Sequence, residues 1–379
     1  MNKKILIVTN HYLPGYKAGG PIKSISSICE NLKNDFDITV MTSNHDFGDT
    51  ELYSDIKFDE VVKLKKYDAV YLSKITLKSV KKQILYLSPD IIYLNSFFSK
   101  FTFFVLLLKK LRLVNTKIIL APRGELSQGA LSLKAKKKSF FIKIAKILNL
   151  YSKDLIFHAT DKIEKDDIKK LFYKNEIVEI PNLTIVPNIQ SKGIVKNKWE
   201  LKIIFLSRIS AKKNLLYALE ILKEIDSENI VFDIYGTKED IKYWDKCEKL
   251  INSLKYVQVN YKGSVKPIDI HNIMSQYHLF FLPTKNENFG HAIVEAMQIG
   301  VIPLISDQTP WNDLEKYEAG WSLALDDRNS FIERIKEIRD YTQEEFNIKS
   351  ENVLNYIDNK LDNRKFIEEY KKLFNKGNQ

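Results

Sequence analysis

The feature that most limits what this chain can fold into is an alternation. Short apolar runs of strand length recur along almost all of its 379 residues, separated by segments with helical spacing. The runs at 4–9, 37–42, 68–72, 90–94, 117–121 and 154–158 form a first series. Those at 201–206, 230–235, 256–260, 279–282 and 301–305 form a second. Such alternation builds parallel sheets covered by helices, an α/β architecture. Two series of this length fit two domains, each with its own core. Pro181, Pro187, Asn188 and the polar stretch Gln190–Lys198 interrupt the pattern. We therefore expect a first domain at 1–190, a second at 191–360 and a terminal helix at 361–379.

The segment Glu287-Asn-Phe-Gly-His-Ala-Ile-Val-Glu295 places two carboxylates eight residues apart around the start of a helix. The run Leu279–Leu282 before it reads as a buried strand, and Ala292, Ile293, Ala296 and Met297 recur at helical spacing. Glu287 is expected in the loop at the strand's end, and Glu295 about two turns into the helix. Phe289 and Gly290 fall at the helix N-terminus, where unpaired N–H groups attract negative charge. A carboxylate accepts two hydrogen bonds at once, which suits the paired hydroxyls of a sugar. The plainer alternative is a helix whose first glutamate offsets the macrodipole and whose second is solvated.

A second constellation follows the strand 201–206: Arg208, with Lys212, Lys213 and Asn214 just beyond. Open α/β sheets bind ligands beyond their strands' carboxyl ends, and two cations there can neutralise a diphosphate. A basic loop that merely caps a strand is the alternative. At the N-terminus, the turn-rich loop His11–Gly20 precedes Pro21 and a helix with Ile25, Ile28, Cys29 and Leu32 on one face. Gly19 and Gly20 ahead of that helix form a potential anion seat. The loop lacks the G-x-G-x-x-G fingerprint, which counts against a dehydrogenase.

The 287–303 segment resembles the E-x7-E signature of the retaining GT-B glycosyltransferases of family four. It retains both glutamates, Phe289-Gly290, Glu295-Ala-Met297, Gly300 and Pro303, and departs at Asn288 and His291. The Arg208–Lys213 element is similar to the family's G-R-x4-K-G, with Ser207 and Asn214 in place of its glycines. The set 11–23, 121–133, 207–214, 287–303 and 306–311 resembles a bacterial surface-polysaccharide branch of that family. The resemblance implies two Rossmann-like domains facing a cleft, with the donor held chiefly by the second. It also implies transfer with retained configuration, no metal and no cofactor beyond the nucleotide-sugar, UDP being the preferred nucleotide. Glu287, Arg208 and Lys213 are then catalytic. Gly19, Gly20, Asn288, Phe289, Gly290, Glu295, Gly236 and Gly263 bind the donor. A terminal helix crossing back onto the first domain is a further implication, with packing on its own domain as the alternative.

On the acceptor side, Arg123-Gly124 follows a strand where relatives carry His-Gly. Arg123 either holds a phosphate or carboxylate of the acceptor or pairs with Glu125. His158, at the end of the Leu155–Phe157 strand, is an acceptor candidate or a structural histidine. Trp311 stacks on a sugar or anchors its own loop. Two rivals stay open: a GT-B sugar-nucleotide epimerase or hydrolase, and a non-catalytic nucleotide-sugar-binding partner.

The two cysteines, Cys29 and Cys247, offer neither a disulfide framework nor a metal quartet. No secretory signal is apparent, and the most hydrophobic run, Phe101–Leu108, is far short of the ~20 residues that span a bilayer. A cytoplasmic enzyme is the expectation. The formal charge is +11, much of it within 134–153. There Phe140, Phe141, Ile144, Ile147, Leu148 and Tyr151 form an apolar helical face, with Lys136, Lys143, Lys146 and Ile142 off it. Such a helix suits an anionic membrane surface, fitting a peripheral enzyme with a lipid-linked saccharide acceptor, or else packs into the first domain. No nucleic-acid module is recognised.

Overall fold

The computed structural model describes residues 2–64, 67–132, 135–185, 194–225 and 227–376. Pro187, Asn188 and Gln190 of the expected interdomain stretch, and Lys134 of the basic segment, lie outside the described residues. The chain divides into two units, Met1–Ile185 with Asn363–Gln379, and Val186–Asp362.

The first unit's sheet comprises β1 (Lys3–Val8), β2 (Phe36–Ser43), β3 (Val61–Lys63), β4 (Asp68–Leu72), β5 (Ile91–Asn95), β6 (Lys117–Ala121), β7 (Ile156–Ala159) and β8 (Ile177–Glu179). Their spatial order is β3-β4-β2-β1-β5-β6-β7-β8, parallel except for the β3–β4 pair. The helices are α1 (Gly20–Leu32), α2 (Leu77–Leu87), α3 (Lys100–Lys110), α4 (Gln128–Ser132), α5 (Ala135–Ile147) and α6 (Lys162–Leu171). Successive residues of β1 serve opposite faces, as the period of two requires. Leu6 and Val8 join the core under α2, α3 and α5, whereas Ile5 and Ile7 join the one under α1.

The second unit's strands are β9 (Leu201–Leu206), β10 (Ile230–Tyr235), β11 (Gln258–Gly263), β12 (Leu279–Leu282), β13 (Ile302–Ser306) and β14 (Trp321–Leu323). All pair in parallel, in the order β11-β10-β9-β12-β13-β14. Its helices are α7 (Leu215–Ile225), α8 (Ile241–Ile251), α9 (Ile270–Met274), α10 (His291–Met297), α11 (Arg328–Asp340) and α12 (Gln343–Lys360). In each sheet the chain first winds outward from one strand and then returns to that strand's other side. The order therefore reverses between β1 and β5 in the first unit and between β9 and β12 in the second. Ligands of open α/β sheets lie at the carboxyl ends of such strand pairs.

The last helix, α13 (Asn363–Asn375), packs on the first unit. Tyr370, Leu373 and Phe374 are buried in the α1-side core, where Phe374 meets Phe36 and Tyr93 edge-on at 5.6 and 5.7 Å. Lys371 pairs with Asp35 at 2.9 Å. Asn363 brackets Thr184, accepting from its N–H at 3.2 Å and donating to its Oγ1 at 3.0 Å.

The basic helix differs from its expected form. α5 ends at Ile147, and the residues it buries are Ile142 and Ala145. Ile142 had been placed off the apolar face. Phe140 and Ile147 are instead 66% and 82% exposed, with Ile144 and Leu148 also open to solvent. Periodicity detects an apolar stripe but not which stripe a neighbouring core accepts. Here Phe141 turns toward Phe98 and Phe103, which brings Ile142 inward and leaves the wider stripe outside.

Candidate functional site

In the second unit, the two loops at the β9–β12 reversal carry the predicted charges. The loop after β9 turns on Ser210, whose carbonyl accepts from Lys213 N at 3.0 Å and Asn214 N at 3.3 Å. Asn214 has φ 61, the left-handed conformation that asparagine tolerates better than most residues. The loop after β12 is stitched to it: Lys285 N donates to Lys212 O at 2.8 Å, and Thr284 Oγ1 donates to the same carbonyl at 3.2 Å. Glu287 N donates to Gln308 O at 2.8 Å, which ties in the loop after β13 as well.

This scaffold brings Lys213 Nζ against Glu287 Oε2, with the two side chains only 12% and 17% exposed. Arg208 Nη1 pairs with Glu239 Oε1 at 3.0 Å. Lys212, which the sequence reading named in this loop without giving it a role, joins them. Its ammonium is held below the ordinary lysine range, first by desolvation of the charged end although the residue as a whole is exposed, then by the Lys213 cation, and further by Arg208. Glu287 and Glu239 oppose that shift only in part. Three cations thus share a small volume with two carboxylates.

Gly290 caps α10 with φ 76, and a Cβ there would meet Ile293 Cδ1 at 2.7 Å and Glu287 Cγ at 3.1 Å. The packing of Glu287 therefore depends on a glycine at 290. Because α10 covers only His291–Met297, Glu295 lies little more than one turn into it, not two. Asn288 and Glu295 are partly exposed beside the buried Phe289. Gly236 and Gly263, at the ends of β10 and β11, meet through Gly236 N donating to Gly263 O at 2.8 Å. Gly19 and Gly20 belong to the first unit, where Gly19, at φ 67, starts α1 without a side-chain cap.

Four acceptor-side candidates, Arg123, Glu125, His158 and Trp311, make hydrogen bonds within their own units. Arg123 donates through Nε to Asn95 Oδ1 at 2.7 Å, through Nη2 to Tyr93 Oη at 2.9 Å, and through Nη1 to Asn182. Glu125 does not take Arg123 as its partner. It accepts from Ser96 Oγ at 2.8 Å and from Phe97 N and Phe98 N at 2.6 and 2.9 Å. His158 is fully buried between Tyr93 Oη at 2.7 Å and the Ile180 carbonyl at 2.8 Å. Burial pushes its pKa down to about 3, so the ring is neutral, donating to Ile180 O and accepting from Tyr93. Trp311 is 6% exposed and donates its indole N–H to Phe289 O at 2.7 Å. It anchors a loop and presents no stacking face. Side-chain direction, which sequence spacing does not specify, selects these partners.

Comparison with known proteins bears on the fold. Residues 188–351 match the family model described as glycosyl transferases group 1. A curated relative, the UDP-Gal:alpha-D-GlcNAc-diphosphoundecaprenol alpha-1,3-galactosyltransferase of Escherichia coli, is 28% identical over 233 residues. That match covers 54% of this chain and spans 57% of the relative's length. Sucrose-phosphate synthase from Thermosynechococcus elongatus superposes with a TM-score of 0.74 at 13% identity, covering 98% of both chains. Anabaena HepE, solved with UDP and glucose, gives 0.72 at 15% identity, covering 98% of this chain and 99% of the other. The fold is GT-B. No helix among the described residues is long and apolar enough to cross a membrane.

Proposed function

We propose that this protein is a retaining glycosyltransferase that moves a hexose from a UDP-sugar to a lipid-linked saccharide in bacterial surface-polysaccharide synthesis. The observation that carries the reading is the Lys213–Glu287 pair spanning the β9–β12 reversal, with Lys212 and Arg208 beside it. In this reading the cations take up charge as the sugar–phosphate bond breaks, a task a divalent metal performs in other sugar transferases. Glu287, steered by Lys213, accepts hydrogen bonds from the sugar's hydroxyls, and Glu295 those of the ribose. The N–H groups of 288–290, ahead of α10, face the sugar or its phosphates. Gly236 and Gly263 flank the base. The acceptor hydroxyl attacks from the leaving group's own face and passes its proton to the departing phosphate oxygen, which retains configuration. The E. coli relative, named for UDP-Gal and a GlcNAc-diphosphoundecaprenol, supports a UDP-hexose donor and a lipid-diphosphate acceptor.

We also propose that α5 rests on an anionic membrane surface, because its exposed Phe140, Ile144 and Ile147 sit among Lys136, Lys143 and Lys146.

The test is mass spectrometry of products from a UDP-sugar panel with lipid-linked saccharide acceptors. Transfer is expected, and Glu287→Ala is expected to reduce it by about 100-fold or more with an unchanged circular-dichroism spectrum. Undiminished turnover in that variant overturns the assignment. Acceptor-independent conversion of the UDP-sugar points to an epimerase or hydrolase instead.

A further inference from the structure

We propose that Asn10 is a specificity-determining residue at the first unit's strand reversal, where its side-chain amide donates to an oxygen of the acceptor saccharide. The inference rests on the glycosyltransferase reading above and assigns a place and a residue to the acceptor.

Asn10 follows β1, and Ser96 follows β5, the two strands between which the order of this sheet reverses. Asn10 is held in place by its backbone and its side chain. Its carbonyl accepts from Ser43 N at 3.3 Å, and its Oδ1 accepts from Ser99 Oγ at 2.8 Å. Ser99 caps α3, with Oγ accepting from Phe101 N at 3.1 Å and from Thr102 N at 3.5 Å. A hydroxyl has one hydrogen, and with its lone pairs occupied by the helix that hydrogen goes to Asn10. The Asn10 amide is thereby oriented: its oxygen is consumed by Ser99, and its Nδ2 is turned away with two hydrogens. Among the described residues none accepts them, and Asn10 is partly open to solvent. A group that can only donate selects ligand atoms with lone pairs.

The neighbouring rim is held under strain. Ser96 has φ 97, and Arg123 and Gly124, after the adjacent β6, have φ 57 and 74. A non-glycine residue in such a conformation is disfavoured and persists where its surroundings over-determine it. Here a reciprocal clamp does so: Arg123 of the β6 turn grips Asn95 of β5, while Glu125 grips Ser96, Phe97 and Phe98. A rigid, strained rim beside an oriented donor is the form a pre-organised binding surface takes.

The experiment measures steady-state transfer from UDP-galactose to a synthetic GlcNAc-diphosphoryl lipid. Asn10→Asp keeps the shape but replaces the donor with a charged acceptor. It is expected to raise the acceptor KM about ten-fold or more and leave the UDP-galactose KM unchanged. Ser99→Ala leaves Asn10 in place but frees its amide to turn, and is expected to raise the acceptor KM by a smaller factor. Melting curves exclude loss of fold, and Ser99→Ala carries the test if Asn10→Asp does not fold. Wild-type transfer with an unchanged acceptor KM in the folded variants overturns this inference alone. Absence of wild-type transfer to any saccharide overturns the functional reading, and this inference with it.

Discussion

Lys212 shows at the scale of one residue what the site does with charge. Its pKa is lowered, so the neutral amine gains ground at a pH below the ordinary lysine value. A bound diphosphate opposes that shift, so binding is expected to take up a proton in the alkaline range. UDP affinity then falls as pH rises through the lowered pKa. Calorimetry in buffers of different ionisation enthalpy reads the uptake directly, and Lys212→Met is expected to abolish it. Two buried histidines have a different consequence. His158 and His278 have pKa values pushed down by burial to about 3 and about 4. Between those values and 6.5 the unfolded chain binds protons that the folded chain refuses. Stability is therefore complete above pH 6.5 and declines as pH falls toward 3. Urea midpoints across that range should drop, and the decline should be shallower in His158→Gln. The sequence placed Lys213 and Glu287 in the loops after β9 and β12, where the structure has them, because both follow strongly apolar strands. It left Arg123 open because a guanidinium at a strand's end can reach outward or back, and only the positions of Asn95, Tyr93 and Asn182 show where its hydrogen bonds go.

At the scale of elements, the long strands were legible and the short ones were not. β5, β12 and β13 are buried throughout and read as unbroken apolar runs. β3, β8 and β14 have three residues each, too few to show a period, and were missed. Nor did the sequence disclose why β10 ends in glycine. A Cβ at Gly236 would lie 1.8 Å from the Ser207 carbonyl oxygen, and φ there is 147. Gly236→Ala is expected to destabilise the second unit by about 1–3 kcal/mol, seen as a lower denaturant midpoint. Gly263→Ala meets nothing within 4 Å and carries only the cost of its φ of 79, so it should be milder.

For the molecule as a whole, the proposal that α5 rests on an anionic membrane gives the charge of +11 a part to play. The sequence identified the segment and its apolar face, of which the fold leaves Phe140, Ile144, Ile147 and Leu148 exposed. Each lysine near an anionic bilayer contributes about 1 kcal/mol. Changing Lys143 and Lys146 to Glu should therefore weaken sedimentation with phosphatidylserine vesicles by roughly thirty-fold or more. Added salt should weaken the wild type in the same direction. Unchanged binding by the double variant removes α5 as the contact.

The return of α13 to the first unit also sets an order of birth. A ribosome releases Val186–Asp362, a continuous stretch able to close on itself, before it releases the helix that covers Phe36 and Tyr93. The half of the protein synthesised first is thus the half finished last, and while translation continues its uncovered aromatics are a natural target for chaperones.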